Sequence, residues 1–281
     1  MRHPGHYPGA VRAIPATLDP GVVAEIDRRL ALVAVEHHVR VPWAVESGSR
    51  AWGFPSPDSD YDCRFLFVRR PERYLALWPD RDVVETPLDK VFDVNGWDLA
   101  KAVRLVVKGN ATVIEWLQSP IVYTGDETFR YRLLAFAEQA ADRVLLARHY
   151  LHVARNQQRR APTLKRFLYT LRPAVSLRWL ADNPGSGLPP MDLPTLLGES
   201  AVPAPVRAAA GGLIELKAVT RETGTATPPA VLTEFVADEL GRAEVAVRAA
   251  GRTNRADVRA LAEHCFRSEI ERVWSAPRPP G

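Results

Sequence analysis

The sequence predicts an α+β protein, with a small mixed sheet and its helices in the N-terminal half and an α-helical domain behind it. Three observations carry this prediction. Apolar alternation with a period of two, the mark of a half-buried strand, is confined to residues before Thr128. Beyond Thr128 only helical spacing of apolar residues recurs. A chain of 281 residues exceeds what one core usually organises, since domains commonly run to about 100–200 residues.

Each element follows in order. Asp19 and Pro20 form a cap and first-turn pair, and Val22, Ile26, Leu30, Val33 and His37 continue at helical spacing to about Arg40. Val39, Val41, Trp43 and Val45 alternate as a first strand, with Pro42 requiring an edge position or a bend. Between Asp60 and Val68 a second strand points Tyr61, Cys63, Phe65 and Phe67 one way and Asp60, Asp62 and Arg64 the other. Residues 82–85 and 90–95 read as further strands, and Asp98 caps a helix through Leu99, Val103, Val106 and Val107. Helices are then expected near 129–158, 164–182, 204–221, 229–249 and 254–273, with Asn183 to Pro205 as a long Pro/Gly-rich connection. The expected organisation is an N-terminal arm over 1–18, an α/β unit over 19–125, a helical domain over 126–275 and a frayed tail over 276–281.

Composition narrows the function classes. Apolar residues make up 46% and charged residues 25%, which excludes a disordered chain. The net charge is +4, and only five of the 37 basic residues are lysines; phosphate-bearing ligands are permitted by this arginine bias but not required by it. Cys63 and Cys265 supply neither a disulfide framework nor a zinc site. No apolar run approaches the roughly 20 residues of a membrane span, and Met1 to Leu18 lacks the apolar stretch of a signal peptide, so the chain reads as cytoplasmic with no membrane partner.

Chemistry concentrates in Ser47-Gly48-Ser49-Arg50-Ala51-Trp52-Gly53-Phe54 and the following Ser59-Asp60-Tyr61-Asp62. A strand that ends in Gly-Ser and opens a short helix offers backbone N–H groups, which with the Ser49 hydroxyl can hold the outer phosphates of a nucleotide; glycine at 48 would let the phosphate approach. Asp60 and Asp62, two apart on a strand, share a side, and paired hard oxygen ligands suit Mg²⁺. A third carboxylate would complete a two-metal clamp. Alone, the Gly-Ser is most often a turn and the two acids a solvated strand face; their ordered combination makes the site. Arg50 either serves the phosphates or closes the turn through an acid such as Glu46. Trp52, Trp97, Trp116 and Trp179 read as packing, and the histidines have no metal-ligand spacing.

Gly48-Ser49 followed by Asp60-x-Asp62 resembles the signature of polymerase β-type nucleotidyltransferases. Glu46-Ser-Gly-Ser-Arg-Ala-Trp-Gly-Phe, Ser56-Pro-Asp-Ser-Asp-Tyr-Asp, Asn95-Gly-Trp-Asp-Leu, Glu115-Trp-Leu-Gln-Ser-Pro-Ile-Val-Tyr123 and Leu171-Arg-Pro resemble, more closely, the bacterial YcgL-type nucleotidyltransferases, the RNA-repair-pathway polymerase β family. The five strings occur in order between Trp43 and Trp179. This resemblance implies that residues 19–125 are a catalytic domain, that Gly48 and Ser49 bind nucleotide, with Arg50 a candidate beside them, and that Asp60 and Asp62 are catalytic metal ligands for Mg²⁺ or Mn²⁺, two ions in all. Asp93, in the apolar-acidic-apolar setting Phe92-Asp93-Val94, is the favoured third acid, with Asp98 as the substitute. The superfamily's helical domain commonly covers the nucleotide, and Lys165, Tyr169 and Arg172 share one helical face suited to a triphosphate or base. The implied activity is transfer of a nucleoside monophosphate from an NTP to a hydroxyl acceptor with release of pyrophosphate. RNA is the expected acceptor; protein nucleotidylation, as on a toxin, and a non-catalytic nucleotide- or RNA-binding module are the alternatives.

Overall fold

The computed structural model describes residues 10–87, 91–159, 163–185, 187–220, 227–250 and 256–275. Lys90, Arg221, Asn254 and Arg255 at the edges of three expected elements, the first nine residues of the arm and the expected tail 276–281 lie outside the described residues. The chain runs β1 (Ala10–Ala13), α1 (Pro20–Glu36), β2 (Val39–Glu46), α2 (Gly48–Ala51), β3 (Tyr61–Arg69), α3 (Pro71–Tyr74), β4 (Val83–Glu85) and β5 (Phe92–Asp98). It continues through α4 (Leu99–Val107), α5 (Ala111–Gln118), β6 (Val122–Asp126), α6 (Glu127–Ala140), α7 (Arg143–Gln158), α8 (Leu164–Asp182), α9 (Leu193–Glu199), α10 (Ala204–Val219), α11 (Ala230–Ala249) and α12 (Ala256–Ser275). The fold is α+β, as expected.

The strands form one mixed sheet in the order β1-β6-β2-β3-β5-β4. All neighbours are antiparallel except β3 and β5, which run parallel with Asp62 opposite Asp93. Pro42 bends β2 where its pairing with β3 shifts between Arg40 and Trp43; it does not mark an edge, because β6 covers the other side. Sequence alternation missed β1 and β6. Gly125 in β6 interrupts the apolar pattern because Trp43 fills its place: a Cβ there would come 2.4 Å from the indole.

The two faces of the sheet bury different cores. On one side Val39, Ala44, Cys63, Phe65, Phe67, Val94 and Tyr123 pack against Ile26, Leu30 and Val33 of α1. On the other, Trp43, Val45, Leu66 and Val68 join a larger core that runs continuously through α4 to α8 and on to α12. Asp62 and Arg64 alternate with Cys63 and Phe65, so they belong to the side of the helical half. Both cysteines are buried and free. Among the described residues no helix is long and apolar enough to cross a membrane.

Three helix boundaries differ from expectation for local reasons. The expected helix 129–158 is two, because Ala141 is extended and Asp142 caps α7 by accepting from the amides of Val144 and Leu145. Asn110 caps α5 in the same way, and α9, capped by Asp192, lies within the expected connection 183–205. Asp98 is the cap of α4: its Oδ1 accepts from the Ala100 amide at 2.7 Å, while its Oδ2 accepts from the Tyr74 hydroxyl at 3.2 Å and faces Arg69 at 3.4 Å.

Burial raises the Asp98 carboxyl to about 6 in spite of these donors. Because the folded state holds this proton more tightly than the unfolded chain, Asp98 favours folding most at low pH. That contribution fades as pH rises from about 4 to about 6, by at most about 3 kcal/mol. Asp98→Asn keeps an effective cap and is expected to flatten this part of the stability profile. Urea unfolding of both proteins at pH 4, 5, 6 and 7 checks it; parallel profiles would exclude the assignment.

Candidate active site

The site begins where β2 ends. The Ser47 amide donates to the Asp62 carbonyl at 2.8 Å, locking the end of β2 to the start of β3. Gly48 then turns with φ +62°, and a Cβ at that position would lie 2.0 Å from Asp62 Oδ2. Glycine is therefore required here to make room for the Asp62 carboxylate, a different reason from the phosphate approach that the sequence suggested. Ser49, which is buried, donates its hydroxyl to Ser59 at 3.0 Å, and Ser59 also bonds Ser56, so the two ends of the 47–60 loop are tied together.

Arg50 closes that loop further. Its Nη2 donates to the Ser59 carbonyl at 2.6 Å and its Nε to the Asp60 carbonyl at 3.3 Å, with the guanidinium 4.1 Å over the Tyr61 ring. Of the two roles weighed for it, turn closure is what the contacts show, through main-chain carbonyls rather than Glu46. Glu46 instead accepts from the Asp62 amide at 2.9 Å and from the Tyr123 hydroxyl at 2.5 Å. Burial raises its carboxyl to about 7, against the pull of both donors.

The carboxylates meet at the start of β3. Asp62 and Asp93 are register partners on neighbouring parallel strands, so their side chains emerge on the same side. Asp60 precedes the first residue of the strand and is exposed, one position outside the expected element. Burial raises the Asp62 carboxyl, repulsion from Asp93 and Asp60 adds to this, and Arg64 and Lys165 oppose it. Asp98, the substitute third acid, lies five residues along β5 from Asp93 and is committed to its cap.

Arg64 is a residue of the site that sequence reasoning did not single out. Its Nη2 donates to Asp62 Oδ1 at 3.1 Å and to Asp93 Oδ2 at 2.6 Å, while Nη1 holds the Asp93 carbonyl at 2.7 Å. Asn95 donates to the remaining oxygen of Asp93 at 2.5 Å. The signal was present, since Arg64 follows Asp62 by two on the same strand face. The two acids are thus gathered about a guanidinium, and among the described residues no group of three or more His, Cys, Asp or Glu side chains is close enough to hold a metal ion. The donor set still fits a divalent ion: hard carboxylate oxygens converge there, and their mutual repulsion is what a cation relieves.

This arrangement of loop, strand pair and acids coincides with a family match. The profile of the RNA repair pathway DNA polymerase beta family covers residues 22–267. The chain belongs to that family. It is also 32% identical, over 255 residues, to uncharacterized protein YcgL of Bacillus subtilis (strain 168), covering 87% of this chain and 95% of that one. The family is polymerase β-like and linked to RNA repair, which supports a nucleotidyltransferase-type role for the chain.

In this family member the helical half reaches the site through α8 and α9. Lys165 sits near enough to Asp62 to bear on its charge, with its ammonium 5.9 Å from the Tyr169 ring. Tyr169 packs edge-on against Trp52 at 5.1 Å and contacts Phe54 at 5.9 Å. Lys217 of α10, which sequence reading did not single out, is buried with its ammonium 4.9 Å from Phe54 and 5.7 Å from Tyr169. Gly53, at φ +82°, abuts Pro194, and the Trp52 carbonyl accepts from the Leu193 amide at 2.9 Å.

Arg172 is not brought to the acids. It is 5% exposed, forms two hydrogen bonds with Glu115 at 2.8 and 3.2 Å, and lies 4.3 Å from the Trp52 ring. The expectation that it faces a nucleotide is corrected by this burial. Its spacing from Tyr169 puts it on the same helix, but its side chain goes to the partner that α5 supplies. Glu115, whose role the sequence left open, is that partner.

Removing one member of a buried ion pair strands the other charge, which costs about 3–5 kcal/mol. Arg172→Met is expected to lose stability of that order. Adding Glu115→Leu is expected to recover at least half of it. Urea denaturation of both single variants and the double variant tests this, and additive losses would refute the pairing.

Proposed function

We propose that this chain is a metal-dependent nucleotidyltransferase that moves a nucleoside monophosphate from an NTP to a hydroxyl of RNA, releasing pyrophosphate. The observation that carries the reading is the register of Asp62 and Asp93 on parallel strands, beside a Gly48 whose missing side chain is the space Asp62 occupies. In this reading residues 19–125 are the catalytic domain and residues 126–275 the helical domain that covers the nucleotide.

Asp60, Asp62 and Asp93 would hold Mg²⁺ or Mn²⁺, two ions by the family's pattern. When bound, the metal supplies positive charge at the α-phosphate and the departing pyrophosphate and lowers the cost of deprotonating the acceptor hydroxyl. The chain's own residues do the rest. Gly48 and Ser49 lie in the loop that would receive the outer phosphates, and Arg50 fixes that loop against Ser59 and Asp60. Lys165 brings positive charge from the helical half to the acids. Arg64 holds Asp62 and Asp93 in place in the protein alone, offsetting two half-buried negative charges. The acceptor oxygen bonds to the α-phosphorus, the bond to the pyrophosphate oxygen breaks with its electron pair on the leaving group, and the acceptor proton passes to a site carboxylate or water. Tyr169, packed edge-on against Trp52, would offer its ring to a base in this reading.

The test is incubation of the purified chain with α-labelled NTPs, Mg²⁺ or Mn²⁺, and separate RNA and protein fractions. Nuclease-sensitive label is the expected result; protease-sensitive label would move the acceptor to protein. Asp62→Asn and Asp93→Asn are each expected to lower pyrophosphate release about 1000-fold, the scale of losing several kcal/mol of charge stabilisation. Unchanged release in both would remove the metal site from these residues.

A further inference from the structure

β3 carries a second charged feature at its other end. Along it, Arg69 lies about 23 Å from Asp62. There a cavity of about 490 Å³ opens between the end of α1 and the start of α3, walled by His37, His38, Arg69, Arg70 and Arg73. Its acids are Glu36 and Asp80, Arg69 also faces the buried Asp98 at 3.4 Å, and the imidazoles add N–H donors. Asp80 is taken up by Arg73, at 2.7 and 2.9 Å, and by Arg69 at 3.5 Å. Arg70 is exposed, lies 5.0 Å from the Trp274 ring, and pairs with no carboxylate among the described residues.

Beside this cavity is an apolar loop. Leu75, Leu77 and Trp78 are 86%, 83% and 82% exposed, the three most exposed large apolar side chains among the described residues. The two ends of the loop that carries them are joined by the Arg73–Asp80 ion pair at 2.7 Å, and both of these residues line the cavity. Exposed apolar clusters of this kind mark interaction sites. An exposed tryptophan next to an arginine- and histidine-lined cavity offers the pairing that single-stranded nucleic acids use, with phosphates against the guanidiniums and a base stacked on the ring.

We propose that the cavity at the far end of β3 and the Leu75–Trp78 loop form a binding site for single-stranded RNA, remote from the catalytic acids. The proposal draws on the proposed function only for the purpose it gives such a site, which is to hold an acceptor whose end reaches the acids. Binding itself can be measured apart from catalysis.

The experiment is fluorescence anisotropy of a labelled, mixed-sequence, single-stranded 12-nucleotide RNA with the full chain, without NTP or divalent metal, across a salt series. Trp78→Ala is expected to weaken binding about tenfold, as loss of one stacked base does. Arg70→Gln is expected to weaken it and to reduce the slope of log affinity against log salt by about 0.7. Neither residue is part of the catalytic machinery, so pyrophosphate release with a dinucleotide acceptor should stay within twofold of wild type. RNA affinity within twofold of wild type for both variants would overturn the proposal and leave the apolar loop to a protein partner. Asp62→Asn separates the two readings: it should retain RNA affinity whether or not the wild-type chain proves to transfer nucleotides.

Discussion

Two carboxylates held side by side on a half-buried strand face require a cation, and the arrangement around Asp62 and Asp93 follows from that requirement. Parallel register brings the two acids together, burial and mutual repulsion raise the Asp62 carboxyl, and the Arg64 guanidinium offsets both. Arg64 comes from the same strand two residues on, so no separate element is needed to supply it. The main chain is constrained as tightly as the side chains. Glu46 takes the Asp62 amide, Ser47 takes the Asp62 carbonyl, and only glycine can stand at 48. Both backbone groups of Asp62 are thus bonded, which limits how far repulsion can displace it.

The helical half is fastened to this strand pair by a different device. Arg172 reaches from α8 to Glu115 of α5, to the Met191 carbonyl before α9, and over Trp52 of the loop. One buried guanidinium therefore links three elements to the segment that follows Gly48. A buried ion pair contributes little net stability compared with an apolar contact of the same size, but it tolerates only one geometry. Such a contact is suited to fixing Trp52, and through it Tyr169, relative to the acids. α12 closes the far side: Arg272 pairs with Asp126 at the end of β6, Arg132 pairs with the fully buried Glu269, and Trp274 donates to the Arg69 carbonyl.

What the sequence made legible was whatever a local pattern encodes. Alternation from Asp60 to Val68 separates Cys63, Phe65 and Phe67 from Asp62 and Arg64, and the structure divides them in the same way. Asp19 and Asp98 announce helix starts because a cap needs only its own next turn. β6 was not legible, since its glycine is explained by Trp43 on a strand about eighty residues earlier and its Asp126 by the cap of the next helix. The split at Asp142 was hidden because apolar spacing continues across it. At the site, that Asp93 rather than Asp98 stands beside Asp62 follows from register, which no single strand reveals. Arg172 misled for the reason that helical spacing assigns a face but not a partner; Glu115, fifty-seven residues away, decides where its charge goes.

The Gly-Ser and Asp-x-Asp pieces are readable as one motif because of strand pairing rather than of the distance between them in the chain. β2 and β3 are antiparallel neighbours with Glu46 opposite Cys63, and this register alone places Gly48 against the Asp62 carboxylate. The residues between, 49 to 59, only have to return the chain from one strand to the other, which they do through the Ser49–Ser59–Ser56 hydroxyls and the Arg50 contacts. Length in such a loop costs little, because closure entropy grows only with the logarithm of loop size. A one-residue slip between the strands, in contrast, would turn the Asp62 carboxylate to the face occupied by α1 and empty the site of its charge. The motif therefore records a register, and its two halves carry information about the site only as a pair.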